Sequence, residues 1–353
     1  MPIIKINNLD VEFEGEKVSN FIATLEQGDS LTIVGDENSG RKALIEGLVG
    51  LTPILSGSIE VDDEKIHNQP SNIRKIVRIG SDWALFPHLS VEDNVSFGLR
   101  FKKMKKNELI EQRDRTLKIF GLVELGKQFC TQLNKFDRFK VALARVAAIE
   151  PNLVILEDPF TEYDVKTRLE FLKIVSEFQA KAGLTLIFSS DSPTDYMGIS
   201  KYTAVLAKGY LEQIDQTQNV YENPTSIISA KATGEVNCVK AQVVMGGDFT
   251  MFSSKLGGLN LRVKKNLRVE SEVEILIRPE HTQIVALGKT EDARNVFSGT
   301  IKSIQFMSGF RYVMVKTEDD ELFLSIQNMD EPFEINDEID VILTRDEYPI
   351  MTR

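Results

Sequence analysis

The alternation of apolar and polar positions gives this chain two textures. Over about the first 230 residues, apolar runs of strand length alternate with stretches of helical period, the pattern of a mainly parallel sheet covered by helices. Leu31-Thr32-Ile33-Val34 is closed by Gly35, and after Gly40 comes the helix-like Ala43-Leu44-Ile45-Glu46-Gly47-Leu48-Val49. Strand, glycine-containing loop and helix stand in the order that a phosphate-binding turn requires. A second run, Leu153-Val154-Ile155-Leu156, ends in Glu157-Asp158-Pro159, and a third, Leu184-Thr185-Leu186-Ile187-Phe188, ends in Ser189-Ser190-Asp191. Ligands of such sheets sit at the carboxyl ends of strands, so the three ends are expected to converge on one site. Between the first two runs, a charged, helix-patterned stretch from about Val91 to Ala148 is long enough for a separate helical lobe. After Lys231-Ala232-Thr233-Gly234 the texture changes. Short runs such as Val273–Ile277, Tyr312–Val315 and Leu322–Ile326 recur between polar turns, which predicts a small all-β barrel or sandwich of about 115 residues.

Composition narrows the function classes. With 353 residues, 42% of them hydrophobic, the chain can bury a core in each of two domains. Acidic residues outnumber basic ones 53 to 42, and the net charge of -11 argues against a nonspecific nucleic-acid binder. The basic run Lys102 to Lys106 reads as a solvated helix face. Cys130 and Cys238 stand far apart, in no metal-ligand spacing, which suits a reducing compartment. With no leader pattern at Ile3-Ile4-Lys5-Ile6 and no apolar segment near ~18 residues, a soluble, cytoplasmic chain is expected.

Four segments in order carry a family likeness. These are Ala84-Leu85-Phe86-Pro87-His88-Leu89-Ser90-Val91-Glu92-Asp93-Asn94-Val95-Ser96-Phe97-Gly98-Leu99-Arg100, Val141-Ala142-Leu143-Ala144-Arg145, Gly209 with Leu211-Glu212-Gln213-Ile214, and Ile277-Arg278-Pro279-Glu280-His281. Together they resemble the ATPase subunits of ABC importers of the maltose, spermidine and iron type. The resemblance implies a P-loop NTPase-like α/β cassette over 1–232, with its helical lobe at about 88–148. A small all-β, OB-like TOBE domain over 236–353 would follow.

It also implies stations for ATP and Mg2+, and most of them are altered. A working phosphate loop reads G-x-x-x-x-G-K-[ST]. Here the outer glycines Gly35 and Gly40 keep the turn, but Arg41 stands for the lysine and Lys42 for the metal-binding hydroxyl; with Asn38, Ser39 and Ala43 these are the loop positions that the resemblance assigns to nucleotide binding. Asp36 and Glu37 add carboxylates near the phosphates. Ser81 aligns with the Q-loop glutamine, Glu157-Asp158 inverts the acidic pair that serves metal and water, and Asp191 aligns with the switch histidine. The signature loop reads Asn134-Lys135-Phe136-Asp137, in which Phe136 replaces a glycine that lets backbone approach phosphate. Phe13 matches the aromatic that stacks on adenine, and Asp164 the end of a dimer-contacting loop.

Each position also has a plainer reading: Glu157-Asp158 as an acidic cap or an ion pair with Arg41, Phe13 as an edge-strand aromatic, Trp83 as a core anchor. For Trp83, Leu85, Phe86 and Pro87 the docking reading is preferred, because this segment is most like the family. The expectation is therefore a peripheral subunit on the inner face of the membrane, docked on a permease, as a homodimer or a heterodimer with another ABC ATPase subunit. ATP remains a candidate ligand, Mg2+ is disfavoured and turnover is impaired. The alternative is an active transport ATPase with a rewired site, in which Arg41 and Lys42 neutralise the triphosphate without metal.

Overall fold

Strands that alternate residues between two covered faces read as unbroken apolar runs, and three such strands form the middle of the parallel segment of the first sheet. They are β3 (Ser30–Val34), β7 (Leu153–Glu157) and β8 (Leu186–Ser190). In β7, Leu153 and Ile155 join one core and Val154 and Leu156 the other, so both faces are packed. The computed structural model describes residues 3–160, 162–190, 194–263, 266–290, 294–307, 309–328 and 333–352. Two compact units divide the chain, Met1–Val220 and Tyr221–Arg353.

The remaining strands of the first unit are β1 (Ile3–Phe13), β2 (Glu16–Glu26), β4 (Ile54–Val61), β5 (Glu64–Lys65), β6 (Ile76–Ile79), β9 (Tyr202–Ala207) and β10 (Tyr210–Gln216). The sheet order is β5-β4-β1-β2-β10-β9-β3-β8-β7-β6. Only β9-β3-β8-β7-β6 is parallel throughout. The sheet is mixed: five of its nine pairings are parallel, β2–β10 among them, as the expectation of a mainly parallel sheet has it, while β5-β4-β1-β2 and the β9–β10 pair are antiparallel. The cause is local. Glu14 and Gly15 both adopt left-handed backbone, at φ 48° and 85°, which lets β1 reverse directly into β2 without a crossover helix.

Helix α1 (Arg41–Val49) packs on one face with Ile4, Val11 and Ile155, while α3 (Val91–Ser96), α4 (Lys106–Ile119) and α5 (Lys135–Ala148) lie in the expected helical stretch and pack with α6 (Val165–Ala182) in the other core. Arg74, buried at the end of α2 (Ser71–Arg74), fixes α1 from its far end. It donates to the carbonyls of Gly47 (2.7 Å), Leu48 (3.3 Å) and Gln69 (2.8 Å), and to that of His67. A cation against those carbonyls also complements the helix dipole.

The second unit is all-β apart from short helical turns. Its sheets are β13-β12-β11-β14-β20 and β15-β19-β16-β17-β18, comprising β11 (Asn237–Met245), β12 (Phe249–Ser254), β13 (Gly257–Arg262), β14 (Glu272–Ile277), β15 (Thr282–Ala286), β16 (Val296–Met307), β17 (Phe310–Thr317), β18 (Leu322–Asn328), β19 (Glu338–Leu343) and β20 (Ile350–Thr352). Residues two apart along β11, Val239, Ala241 and Val243, enter a core with Phe252, Ile275, Val315 and Val341. Among the described residues, no helix is long and apolar enough to cross a membrane.

Candidate functional site

The turn between β3 and α1 needs its glycines. Gly40 has φ 90°, and a Cβ there would stand 2.3 Å from the carbonyl oxygen of Lys17. A Cβ on Gly35 would stand 2.5 Å from the side chain of Ser39, so the loop is curled tightly on itself. Asn38 takes φ 77°, a conformation that asparagine tolerates better than most residues. Ser39 is buried, and its hydroxyl has no hydrogen-bond partner. Asp36, Glu37 and Asn38 are exposed, while Ala43 is buried in the first turn of the helix.

The two cations that open α1 diverge. Arg41 turns across the strand ends, its Nη1 lying 3.2 Å from Asp158 Oδ2 and 2.9 Å from Ser189 Oγ. This is the ion pair that the plainer reading of Glu157-Asp158 anticipates. Lys42 turns outward to Glu14 Oε2 at 2.5 Å, with its ammonium 5.4 Å from the centre of the Phe13 ring. The hydrogen bond to Glu14 pushes the Lys42 ammonium further up in pKa. Phe13 ends an interior strand, not an edge strand, and the Lys42 ammonium lies over its ring.

Glu157 is held by a residue that sequence reasoning passed over. Arg78 on β6 places Nη1 2.5 Å from Glu46 Oε1 and 3.3 Å from Glu157 Oε2. The signal was present: Glu46 is a lone carboxylate in an otherwise apolar helical run, and a buried charge must be paired. Ser189 and Glu14 were likewise not singled out as partners of the turn.

Burial raises the Glu157 carboxyl above its usual range, against the pull of the Arg78 guanidinium. The folded chain then holds that proton to a higher pH than the unfolded chain does. Stability should accordingly fall as pH rises through the window just above the ordinary carboxylate value. Denaturant melts across that window test this, with Glu157→Gln expected to flatten the slope.

A metal ligated by Glu157 or Asp158 would have to displace a guanidinium from each, and Lys42 offers no lone pair. Among the described residues, no group of three or more His, Cys, Asp or Glu is placed to hold a metal. The glycine turn leads directly into the N-terminus of α1, where the first backbone N–H groups lack helical partners. Ser81 is exposed just beyond β6, and Asp191 lies outside the described residues.

The signature-loop residues form a second group. Asn134 caps α5 by accepting from the Asp137 N–H at 2.9 Å, and Asp164 caps α6 by accepting from the Thr167 N–H at 3.0 Å. Lys135 Nζ donates to Thr167 Oγ1 at 3.0 Å, which joins the two caps. Phe136 packs on Phe171 at 5.0 Å between ring centres.

The segment read as a docking surface divides. Trp83 is only 3% exposed and lies in the core, so its docking role is corrected: the plainer reading holds for it. Leu85 and Phe86 are half-buried and Pro87 is exposed. Phe86, Phe97 and Phe101 form a ladder with ring centres 4.3 Å and 5.5 Å apart, ending in Phe101, which is 79% exposed. Buried Asn94 holds this loop through the Phe86 N–H and the carbonyls of Phe86, Leu89 and Ser90.

Comparison with known proteins agrees with this architecture. Residues 18–161 match the ABC transporter family, and residues 275–347 match the TOBE domain. The chain is 28% identical over 308 residues to the spermidine/putrescine import ATP-binding protein PotA of Thermotoga maritima, spanning 86% of this chain and 84% of that protein. A PotA from Mannheimia succiniciproducens is 28% identical over 295 residues, covering 83% and 79%. Among solved structures, cbiO1 from Clostridium perfringens, part of the ABC transporter complex cbiONQ, shares the fold with a TM-score of 0.55. At 24% identity, that match covers 62% of this chain and 89% of the other.

Proposed function

We propose, from the premise that this chain belongs to the ATP-binding subunits of importer-type ABC transporters and carries a TOBE domain, that it serves mainly as a structural or regulatory subunit. In this reading it sits at the cytoplasmic face of the membrane and docks on permease subunits through the Leu85, Phe86, Pro87 and Phe101 surface. It pairs with a second cassette, a copy or a paralogue, through the loops that carry Asn134–Asp137 and Asp164. Its Mg-ATP turnover is weak or lost.

The observation that carries the reading is the engagement of Arg41 with Asp158 and Ser189 across the mouth of the glycine turn. A guanidinium so placed joins the family's phosphate station to its carboxylate station, where a metal and an attacking water would act. A general base contributes roughly 10²–10⁴ in rate, and one preorganised donor roughly 10²–10³. These losses do not add, but several in one site leave little turnover.

A second reading is an active ATPase with metal-free charge compensation. It is favoured by two cations at the start of α1, where the helix dipole already attracts an anion. One experiment separates them: the purified full chain is assayed with radiolabelled ATP, once with Mg2+ and once with EDTA. We expect turnover below that of an ordinary cassette subunit by ~10²-fold or more in both. Turnover comparable to ordinary members with Mg2+ would overturn the proposal, and turnover that persists in EDTA would establish the second reading.

A further inference from the structure

The carboxylates around the cradle are balanced within the chain. Strands β6 and β7 are parallel neighbours, with Arg78 beside Ile155 and Ile79 beside Leu156. Ile76 on β6, and Leu153 and Ile155 on β7, join the same core as α1. By the two-residue period, Arg78 and Glu157 project to that same face. There they meet Glu46, which is 7% exposed and rises from a helix whose neighbours Ala43, Leu44, Ile45, Leu48 and Val49 are all buried apolar residues. Both carboxylates reach one nitrogen, Arg78 Nη1, at 2.5 Å and 3.3 Å. The third carboxylate, Asp158, is engaged by Arg41.

One positive centre between two converging carboxylate oxygens is the arrangement a hard divalent cation makes, with ligand distances of ~2.0–2.6 Å. We infer that Arg78 is a resident cation that takes the place of a divalent ion between Glu46 and Glu157, and so acts as the residue that keeps divalent metals out of this cradle. The inference deepens the proposed function and rests on it for the role of the cradle. Its test reads metal uptake in the absence of nucleotide, so the two can fail separately.

The energetics favour a closed set of charges. Three carboxylates at a half-buried site would repel one another and lose hydration. Two guanidinium groups neutralise most of that charge and, unlike a bound ion, cannot dissociate. Neutralising Arg78 leaves Glu46 and Glu157 facing each other. They must then take a proton or an external cation, and Mn2+ suits such a site because it accepts carboxylate and water ligands.

The experiment titrates the full chain with Mn2+ alone, following free Mn2+ by electron paramagnetic resonance and the melting temperature in parallel. Arg78→Met is expected to take up one Mn2+ at least about tenfold more tightly than the unaltered chain, with a metal-dependent rise in melting temperature. Adding Glu157→Gln should abolish the gain, and Arg78→Lys should behave as the unaltered chain. If Arg78→Met does not fold, Arg78→Gln, which keeps a donor beside both carboxylates, is used with the same criteria. A folded variant that gains no Mn2+ affinity overturns the inference. So does an unaltered chain that binds Mn2+ as tightly as the variant.

Discussion

Replacing Trp83 by alanine is expected to destabilise the first unit by about 3–5 kcal/mol, the range for removing a large aromatic from a packed core. The indole lies 5.2 Å from Phe139, 5.4 Å from Phe171 and 6.0 Å from Tyr163, measured between ring centres. Its Nε1 donates to the carbonyl of Pro159 at 3.2 Å. Truncation would empty the middle of an aromatic cluster and orphan that carbonyl. The turn is strained, since Trp83 and Ala84 have φ 55° and 45°, conformations that cost a non-glycine residue about 1–3 kcal/mol, and alanine at position 83 would keep that cost while losing the packing that holds it. Arg145 holds the turn by donating to the carbonyls of both residues. A fall of about 10 °C in melting temperature should accompany the loss. Phe86→Ala, at a half-buried position, should cost much less, and on the docking reading proposed above it should weaken association with a permease instead. Urea melts of the two variants decide the matter: an unmoved midpoint for Trp83→Ala would return that residue to the surface.

The second large effect is expected in the β unit. Arg278→Ala should cost on the order of 3–5 kcal/mol, because its guanidinium is buried and spent on backbone. Nη1 donates to the carbonyls of Ala230, Gly234 and Glu235 at 2.9–3.1 Å, and Nη2 to Tyr221 O at 3.1 Å and Thr233 Oγ1 at 2.9 Å. The guanidinium also lies 4.1 Å from the centre of the Tyr221 ring. Burial lowers its pKa, but an arginine keeps its charge at any ordinary pH. Removal would leave several carbonyls facing a cavity. Arg278→Lys should recover little, since one ammonium cannot reproduce a planar fork. Hydrogen exchange over residues 221–353 tests this, with protection expected to drop in β11 and β14. Unchanged protection would show that these hydrogen bonds contribute nothing to the unit.

The run Ile277–His281 stood out as a family turn, yet nothing in its spacing shows that Arg278 reaches back more than forty residues to the segment Ala230–Glu235. Trp83 sits in a segment that resembles a docking surface on both sides of it. Asp82 and Ala84 beside it are exposed, but a left-handed double step turns the indole inward. Periodicity cannot anticipate that step, because it reports average strand or helix direction and not the sign of φ in a turn.

By itself the sequence determined three buried strands with the helical stretch between the first two of them, the glycine turn after Val34, the change to an all-β unit and the family likeness. Each of these depends on local φ preferences or on the period of burial, which neighbouring residues carry among themselves. The charge arrangement was decided only in three dimensions. Arg41 meets Asp158 across 117 positions, and Arg78 joins Glu46 to Glu157, because three parallel strands end side by side and α1 lies across them. Coulomb attraction acts through space over a few ångströms, so which carboxylate each cation neutralises follows from strand order, not from distance along the chain.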